Sequence, residues 1–135
     1  MELVFEIEPV QQARPRATRL GKGIRLYDPV QVKTFKLQMR ALAKAKRVKR
    51  FDESIEVDLK FYRKVQTSVS RLEHDRRTSG VHRPIVKPDV DNYIKATLDA
   101  LDGVIWKDDA QIVTLKAAKY YSDHPRIEMK VEGLK

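Results

Sequence analysis

Aspartates are concentrated in one segment of this chain, and their spacing could support metal-assisted chemistry. Residues 87–111 carry six of them, in the order Asp89, Asp91, Asp99, Asp102, Asp108 and Asp109. Carboxylates this close together repel one another unless a cation lies among them, and a divalent ion is the usual partner. Hard oxygen ligands with no His or Cys nearby favour Mg²⁺ or Mn²⁺ over zinc.

Asp89 and Asp91 form the first acidic pair. Pro88 disfavours helix at the residue before it, and the helix is expected to begin only after Asp91. In an extended segment, residues two apart point to the same side, so both carboxylates would face one ion. Capping of the following helix is an open alternative for Asp91. Asp108 and Asp109, the second pair, precede a predicted strand, where ordinary turn residues are the alternative.

Lys95 lies one helical turn after Asp91. An ammonium group there can steady the negative charge that builds on a phosphate during cleavage. The alternative is a surface lysine that bridges Asp91 and Asp99, and for Asp99 a helical ion pair with Lys95 is the favoured interpretation. Asp102, next to Gly103, is interpreted as a turn residue. The three histidines are interpreted as surface or loop residues and Trp106 as a core residue.

The net charge of +9 is carried by the first 50 residues, which hold 13 Lys and Arg against 4 Asp and Glu. A basic half joined to an acidic cluster indicates a polyanionic partner such as nucleic acid. A solvated basic helix is the simpler alternative. The predicted DNA contacts are Arg14, Arg16, Arg19, Lys22, Lys33, Lys36, Arg40 and Lys44.

Periodicity predicts the elements that position these residues. Strands are expected over 2–8, 54–62, 111–121 and 125–132, with a short returning strand at 26–27 after a cationic loop over 11–25. Helices are expected from an Asp28 cap to about residue 47, briefly within 64–86, and over 92–102 with Gly103 closing the last. The pattern predicts one α/β (α+β) domain over residues 1–135, with a mixed sheet covered by helices.

Several classes of protein are disfavoured by the composition. The chain has no cysteine, which excludes disulfides and thiolate metal sites. It shows no signal-peptide pattern and no apolar run of the roughly 18–20 residues that a membrane span needs. We therefore expect a soluble cytoplasmic protein with no membrane partner. Phosphate-loop and nucleophile-elbow motifs are also missing, and no small-molecule cofactor is expected.

With these residues in view, the chain resembles the RusA family of Holliday-junction resolvases, particularly its phage-type members. The likeness is strongest over residues 87–113, KPDVDNYIKATLDALDGVIWKDDAQIV, and extends more weakly to the Arg-Pro-Arg stretch at 14–16 and to FYR at 61–63. The resemblance implies a homodimeric, Mg²⁺-dependent endonuclease, with Mn²⁺ as a possible substitute, that nicks four-way DNA junctions symmetrically in recombination or repair. It places metal ligation on Asp89, Asp91 and Asp109, catalysis also on Lys95, and a secondary role on Asp108.

Two other functions use the same residues. A broader structure-specific nuclease, acting on flaps, forks or other branched DNA, would need the same site. A non-catalytic nucleic-acid-binding module would use the aspartates only as caps and turns. A metal-dependent sugar transferase also carries an Asp-x-Asp pair, but 135 residues leave little room for a nucleotide-sugar domain and the basic half would have no role.

Overall fold

The computed structural model describes residues 1–14, 16–21 and 23–134, with the backbone alone at residue 20. Lys22, one of the predicted DNA contacts, lies outside the described residues. The described elements follow in the order β1 (Glu2–Phe5), β2 (Arg16–Leu20), β3 (Gly23–Tyr27), α1 (Val30–Ala45), β4 (Ile55–Lys64), α2 (Arg71–Thr78), α3 (Val90–Leu101), a 3-10 turn (Asp109–Gln111), β5 (Ile112–Ser122) and β6 (Arg126–Gly133). This mixed α/β architecture confirms the predicted fold class.

A four-stranded sheet in the order β1-β6-β4-β5 forms the frame. The β4–β5 pair is parallel, and β6 runs antiparallel to both β4 and β1. The alternation predicted for β4 is present, since Ile55, Val57, Leu59 and Phe61 are all buried. Parallel neighbours need a long crossover, and residues 65–111, which contain α2 and α3, supply it.

Helices α1 and α3 contact each other and join the β4 side chains in one hydrophobic core. On α1 the buried positions are Val32, Phe35, Met39 and Ala43, which follow the three- and four-residue spacing of an amphipathic helix. Trp106 is fully buried in the same core, as predicted. The acidic segment is thus built on a helix with one face fixed in the core.

The predicted cationic loop over 11–25 is confirmed for residues 11–14 and wrong beyond them, because β2 and β3 form an antiparallel hairpin there, and the predicted short strand at 26–27 is the end of β3. Gly21 has φ of 62° at the turn, a left-handed conformation that glycine adopts without steric cost. The predicted short helix is confined to α2, and Val65 is buried just after the end of β4. Among the described residues, no helix combines the length and apolar character that crossing a bilayer requires.

The predicted Asp28 cap of α1 is also wrong. The helix begins at Val30 after Pro29, and none of the described side chains caps it. The Asp28 carboxylate instead accepts hydrogen bonds from Lys36 and Gln12. Gly103 closes α3 as expected, with φ of 78° directly after the last residues of the helix.

Candidate active site

The exposed side of α3 presents a stripe of alternating charge. Asp91, Lys95 and Asp99 follow one another at four-residue spacing and are all exposed, whereas Tyr93, Ala96 and Ala100 are buried. Residues four apart lie on one face of a helix, so these three side chains line one surface. Packing in the core therefore fixes the buried face of α3, and the charged stripe on its other face is accessible to a large partner.

The first acidic pair stands at the beginning of this helix. Asp89 is the N-cap residue, with no side-chain capping bond, and Asp91 lies in the first turn of α3. The expectation that both residues lie in one extended segment is therefore wrong, because the helix begins at Val90. Both carboxylates are exposed at the helix N-terminus, where the free backbone N–H groups favour negative charge.

Asp109, from the second acidic pair, is held from two sides. The indole N–H of Trp106 donates to its Oδ1 at 2.6 Å, and its backbone N–H donates to Asp102 Oδ1 at 3.0 Å. Burial raises the pKa of the Asp109 carboxyl above its usual value. The Trp106 hydrogen bond opposes that rise, and the negative charges of Asp102 and Asp99 add to it. Asp109 is thus an oriented carboxylate in a half-buried, acidic setting.

Asp108 has a structural use. Its side chain accepts from the backbone N–H of Ala110 at 2.9 Å, and the Gln111 side chain accepts from the Asp108 backbone N–H at 2.7 Å. This reciprocal pattern is a capping box, here at the start of the 3-10 turn. The turn-residue alternative therefore describes Asp108 well.

The two acidic pairs lie at opposite ends of α3, so a single chain does not bring their carboxylates together. The helix has 12 residues, so it is about 18 Å long at 1.5 Å per residue. Asp109 bonds to Asp102, immediately after the helix ends. Ligands of a Mg²⁺ ion lie at roughly 2.0–2.1 Å from it. Asp89, Asp91 and Asp109 of one chain therefore do not fit around one ion, and the described residues contain no cluster of three or more acidic or histidine side chains suited to a metal.

Lys36 connects the stripe to the base of the hairpin. Its Nζ lies 2.8 Å from Asp28 and 3.2 Å from Asp99, with the Lys36 side chain only 20% exposed. The predicted Lys95–Asp99 ion pair is not found among the described residues, where Asp99 pairs with Lys36. The hydrogen bond from Lys36 holds the pKa of Asp28 below its usual value against the effect of burial, aided by Gln12 and the charge of Lys95.

Arg40 is likewise used within the fold. Its Nη1 donates to the carbonyl oxygens of Ala100 at 3.3 Å and Asp102 at 2.9 Å, closing the C-terminal end of α3. A cation at this end of a helix also interacts favourably with the helix dipole. The other described members of the predicted DNA-binding set are exposed: Arg14, Arg16, Arg19, Lys33 and Lys44.

Each of the three histidines has a carboxylate neighbour, and two of these pairs lie within hydrogen-bond distance. His74 Nε2 is 2.6 Å from Asp123, and His82 Nδ1 is 3.0 Å from Glu73. Sequence reasoning missed both pairs, and it missed the positioning roles of Asp28 and Asp102. No spacing rule signals them, since the partners lie 7 to 49 residues apart and never on the same helix or strand.

The family of this chain follows from its similarity to known proteins. The family model for endodeoxyribonuclease RusA matches residues 6–132. The chain belongs to the RusA family. This chain is therefore an endodeoxyribonuclease, a hydrolase that acts on DNA, in a family that resolves Holliday junctions. It is also 39% identical over 127 residues to the "Uncharacterized protein YqaN" of Bacillus subtilis (strain 168), covering 92% of this chain and 89% of that protein.

Family membership also bears on the choice between an enzyme and a non-catalytic nucleic-acid-binding module. RusA resolvases act on branched DNA junctions and are generally dependent on divalent metal. An enzyme is thus favoured over the non-catalytic binding module. The segment with the strongest resemblance, residues 87–113, is the one that carries α3, Asp109 and the start of β5.

Proposed function

We propose that this RusA chain is a Mg²⁺-dependent endonuclease that resolves four-way DNA junctions by paired symmetric nicks, working as a homodimer in recombination or repair. The observation that carries the proposal is the placement of the two acidic pairs at opposite ends of α3. One chain presents half of a metal site at each end. A two-fold dimer would complete two equal sites, as two symmetric cuts require.

The ligands we assign are Asp89 and Asp91 of one protomer with Asp109 of the partner subunit. Their oxygen chemistry suits Mg²⁺, and Mn²⁺ would substitute. When bound, the ion supplies Lewis-acid stabilisation and a more acidic water. The chain's own contribution is placement: α3 fixes the first pair, while Trp106 and Asp102 orient Asp109. Asp108 keeps its capping role in this proposal.

Lys95 is assigned to the phosphate. It lies on the same exposed stripe as Asp91, one turn further along α3. Its neighbour Asp99 is already engaged by Lys36 at 3.2 Å, which leaves the Lys95 ammonium available to an incoming anion. A positive group held beside the cleaved phosphate stabilises charge that develops in the transition state.

The edge strand β5 offers a way to assemble the dimer. It is the terminal strand of the sheet, 11 residues long, and Val113 and Leu115 are 60% and 41% exposed. Arg83 donates to the Lys119 carbonyl, and the Ile112 N–H donates to the Asp109 carbonyl, but no backbone bond joins 113–118 to a described residue outside β4. Long open edges tend to pair with another chain.

Antiparallel pairing of two β5 edges would bring the separated acids together. Asp109 precedes the first residue of β5. At the other end of the strand, Lys119 Nζ donates to the carbonyls of Val86 and Pro88, just before Asp89. In a two-fold pairing the start of one strand lies beside the end of the other. Asp109 of the partner subunit would then approach Asp89 and Asp91.

DNA binding is assigned to the exposed basic residues of the predicted set. Arg14, Arg16 and Arg19 on or beside the hairpin, with Lys33 and Lys44 on α1, are exposed and would contact backbone phosphates. Such contacts give affinity with steep salt dependence and little sequence preference. We propose that residues 1–135 act as one endonuclease domain.

The test is cleavage of a labelled synthetic four-way junction with Mg²⁺ or with EDTA. We expect paired nicks that require Mg²⁺, that disappear in Asp91→Asn, and that persist in Glu56→Gln, which removes an exposed charge from the sheet face opposite α3. Asp91→Asn should still bind the junction, because the phosphate contacts remain. Competition with flap and fork DNA separates a junction resolvase from a broader structure-specific nuclease, for which equal cleavage of all three would be the result.

A further inference from the structure

The hairpin of β2 and β3 stands apart from the rest of the fold. Among the residues that the structure describes, its strands pair only with each other, as a separate two-stranded sheet. Apolar side chains on it face solvent, with Ile24 74% exposed, Leu26 66% and Tyr27 43%. Isolated hairpins are marginally stable in water, and exposed apolar patches mark interaction sites. We call the hairpin of β2 and β3 the arm. Its exposed apolar side chains indicate that it is an interaction surface.

The strand register gives the arm two different faces. Cross-strand partners share a face, and successive residues alternate. Arg16 pairs with Tyr27 and Thr18 with Arg25, which makes one face cationic and aromatic. The other face is formed by two of the five pairs, Ala17 with Leu26 and Arg19 with Ile24. One side of the arm is thus suited to phosphates, and the other presents the exposed Ile24 and Leu26 to apolar contacts with the cationic Arg19 beside them.

The base of the arm is fixed beside the catalytic stripe. The Gln12 backbone N–H donates to the Asn92 carbonyl of α3 at 2.9 Å, and Gln12 Nε2 donates to Asp28 Oδ1 at 3.0 Å. Lys36 then joins Asp28 to Asp99. Residues 12 and 28, on either side of the hairpin, are therefore held together next to the α3 stripe that carries Asp91.

Charge identifies the partner. Residues 9–27 contain four arginines and one lysine and no acidic residue, so two such arms repel each other and are attracted to a polyanion. Apolar side chains that reach into DNA contact bases where stacking is interrupted, and aromatic rings stack on bases. At the centre of a four-way junction, strands pass from one helix to another, so base pairs there open more easily than within a continuous duplex.

We propose that the hairpin arm enters the branch point of the junction, with Arg16, Arg25 and Tyr27 on the DNA backbone and flanking bases and with Ile24 and Leu26 against base pairs opened at the crossover. The inference rests on the proposed junction substrate and assigns the arm a role in recognising it. The fixed base would keep an inserted arm in register with the α3 stripe, so that recognition of the branch point and placement of the cleaved phosphate are linked.

The experiment uses the full chain carrying Asp91→Asn and a junction with 2-aminopurine next to the crossover, and it measures binding and fluorescence without cleavage. With the arm intact, we expect binding to raise the fluorescence severalfold on the junction and not on a linear duplex of the same sequence. Ile24→Ser with Leu26→Ser should abolish the rise while reducing affinity by less than about tenfold, because the arginine contacts remain.

Two matched variants complete the design. Val81→Ser with Ile85→Ser removes apolar side chains that are 70% and 95% exposed elsewhere, and it should keep the full rise. Arg16→Gln with Arg25→Gln should lower the slope of log K against log salt by about two, at roughly 0.9 per phosphate contact. Circular dichroism and sedimentation confirm that each variant is folded and keeps its oligomeric state.

An undiminished rise in the Ile24 and Leu26 variant would overturn the proposal, as would loss of the dimer in that variant, which would place the apolar face against a second copy. Junction binding by the arm-intact protein without a rise in fluorescence would also contradict the proposal. Failure of the arm-intact protein to bind junctions at all would instead refute the proposed substrate, so the two failures are distinguishable.

Discussion

Arg40→Met should destabilise the fold without reducing the number of phosphate contacts. Arg40 bonds to the carbonyls of Ala100 and Asp102 at the end of α3. Hydrogen bonds that involve a charged group contribute about 1.5–3 kcal/mol. Because both bonds use one nitrogen of a partly exposed side chain, we expect about 2 kcal/mol, which corresponds to roughly 6–8 °C in Tm for a chain of this size. Methionine keeps the helix propensity and the aliphatic stem.

The assay is urea unfolding at matched protein concentration, together with junction binding over a range of salt. Lys44→Met is the matched control, since Lys44 is exposed one turn further along the same helix. We expect Arg40→Met to shift the unfolding midpoint and leave the salt slope unchanged, and Lys44→Met to do the reverse, with a slope lower by about 0.9. An unchanged midpoint and a reduced slope for Arg40→Met would refute the helix-cap role.

Further predictions concern groups that hold the site in place. Asp28 has a lowered pKa, so its stabilising effect is complete above the unfolded-state pKa of about 3.9 and is lost as pH falls through the folded-state value. In urea unfolding, Asp28→Asn should therefore be less stable than the wild type at pH 7, with the difference vanishing in acid; a difference that does not change with pH would contradict this. Trp106→Phe should cost about 1–3 kcal/mol, because it leaves the Asp109 carboxylate without its donor. It should also slow nicking with the junction still bound, and equal nicking rates would show that the indole does not orient Asp109.

Patterns that depend on neighbouring residues predicted much of this fold. The alternation in β4 and β6 and the apolar spacing on α1 and α3 each reflect burial of one face, which the chain specifies locally. The position of Gly103 predicted the end of α3 for the same reason. Helix starts were less predictable: α3 begins at Val90, so Asp91 lies within the helix where an extended residue was expected.

The hairpin and the use of the charged residues depend on contacts between distant parts of the chain. The arginine and glycine content over 11–25 is typical of a loop. The arm forms because β2 pairs with β3, and composition alone does not reveal that pairing. Lys36 and Arg40 look the same as Lys33 and Lys44 in the sequence. Their partners, Asp99 and the α3 carbonyls, lie about 60 residues away, and no local pattern encodes that separation.

The candidate site was likewise predictable only in part. The residues themselves were identifiable from the acidic segment and its resemblance to the family. The placement of these residues was not predictable, because a sequence does not show that Asp89 and Asp91 lie at one end of α3, a helix about 18 Å long, and Asp109 beyond its other end. That separation turns dimerisation from an expectation into a requirement of the proposed chemistry.

Subunit complementation tests the shared site most directly. Asp91→Asn and Asp109→Asn chains, each inactive alone, are co-expressed with different tags, and the heterodimer is purified and given a four-way junction with Mg²⁺. If each site combines the α3 acids of one chain with Asp109 of the other, one of the two sites is intact. The account then predicts about half of the wild-type nicking, as single nicks. The heterodimer of Asp89→Asn with Asp91→Asn has no intact site and should stay inactive. A heterodimer of Asp91→Asn with Asp109→Asn that is as inactive as its parents would contradict the account.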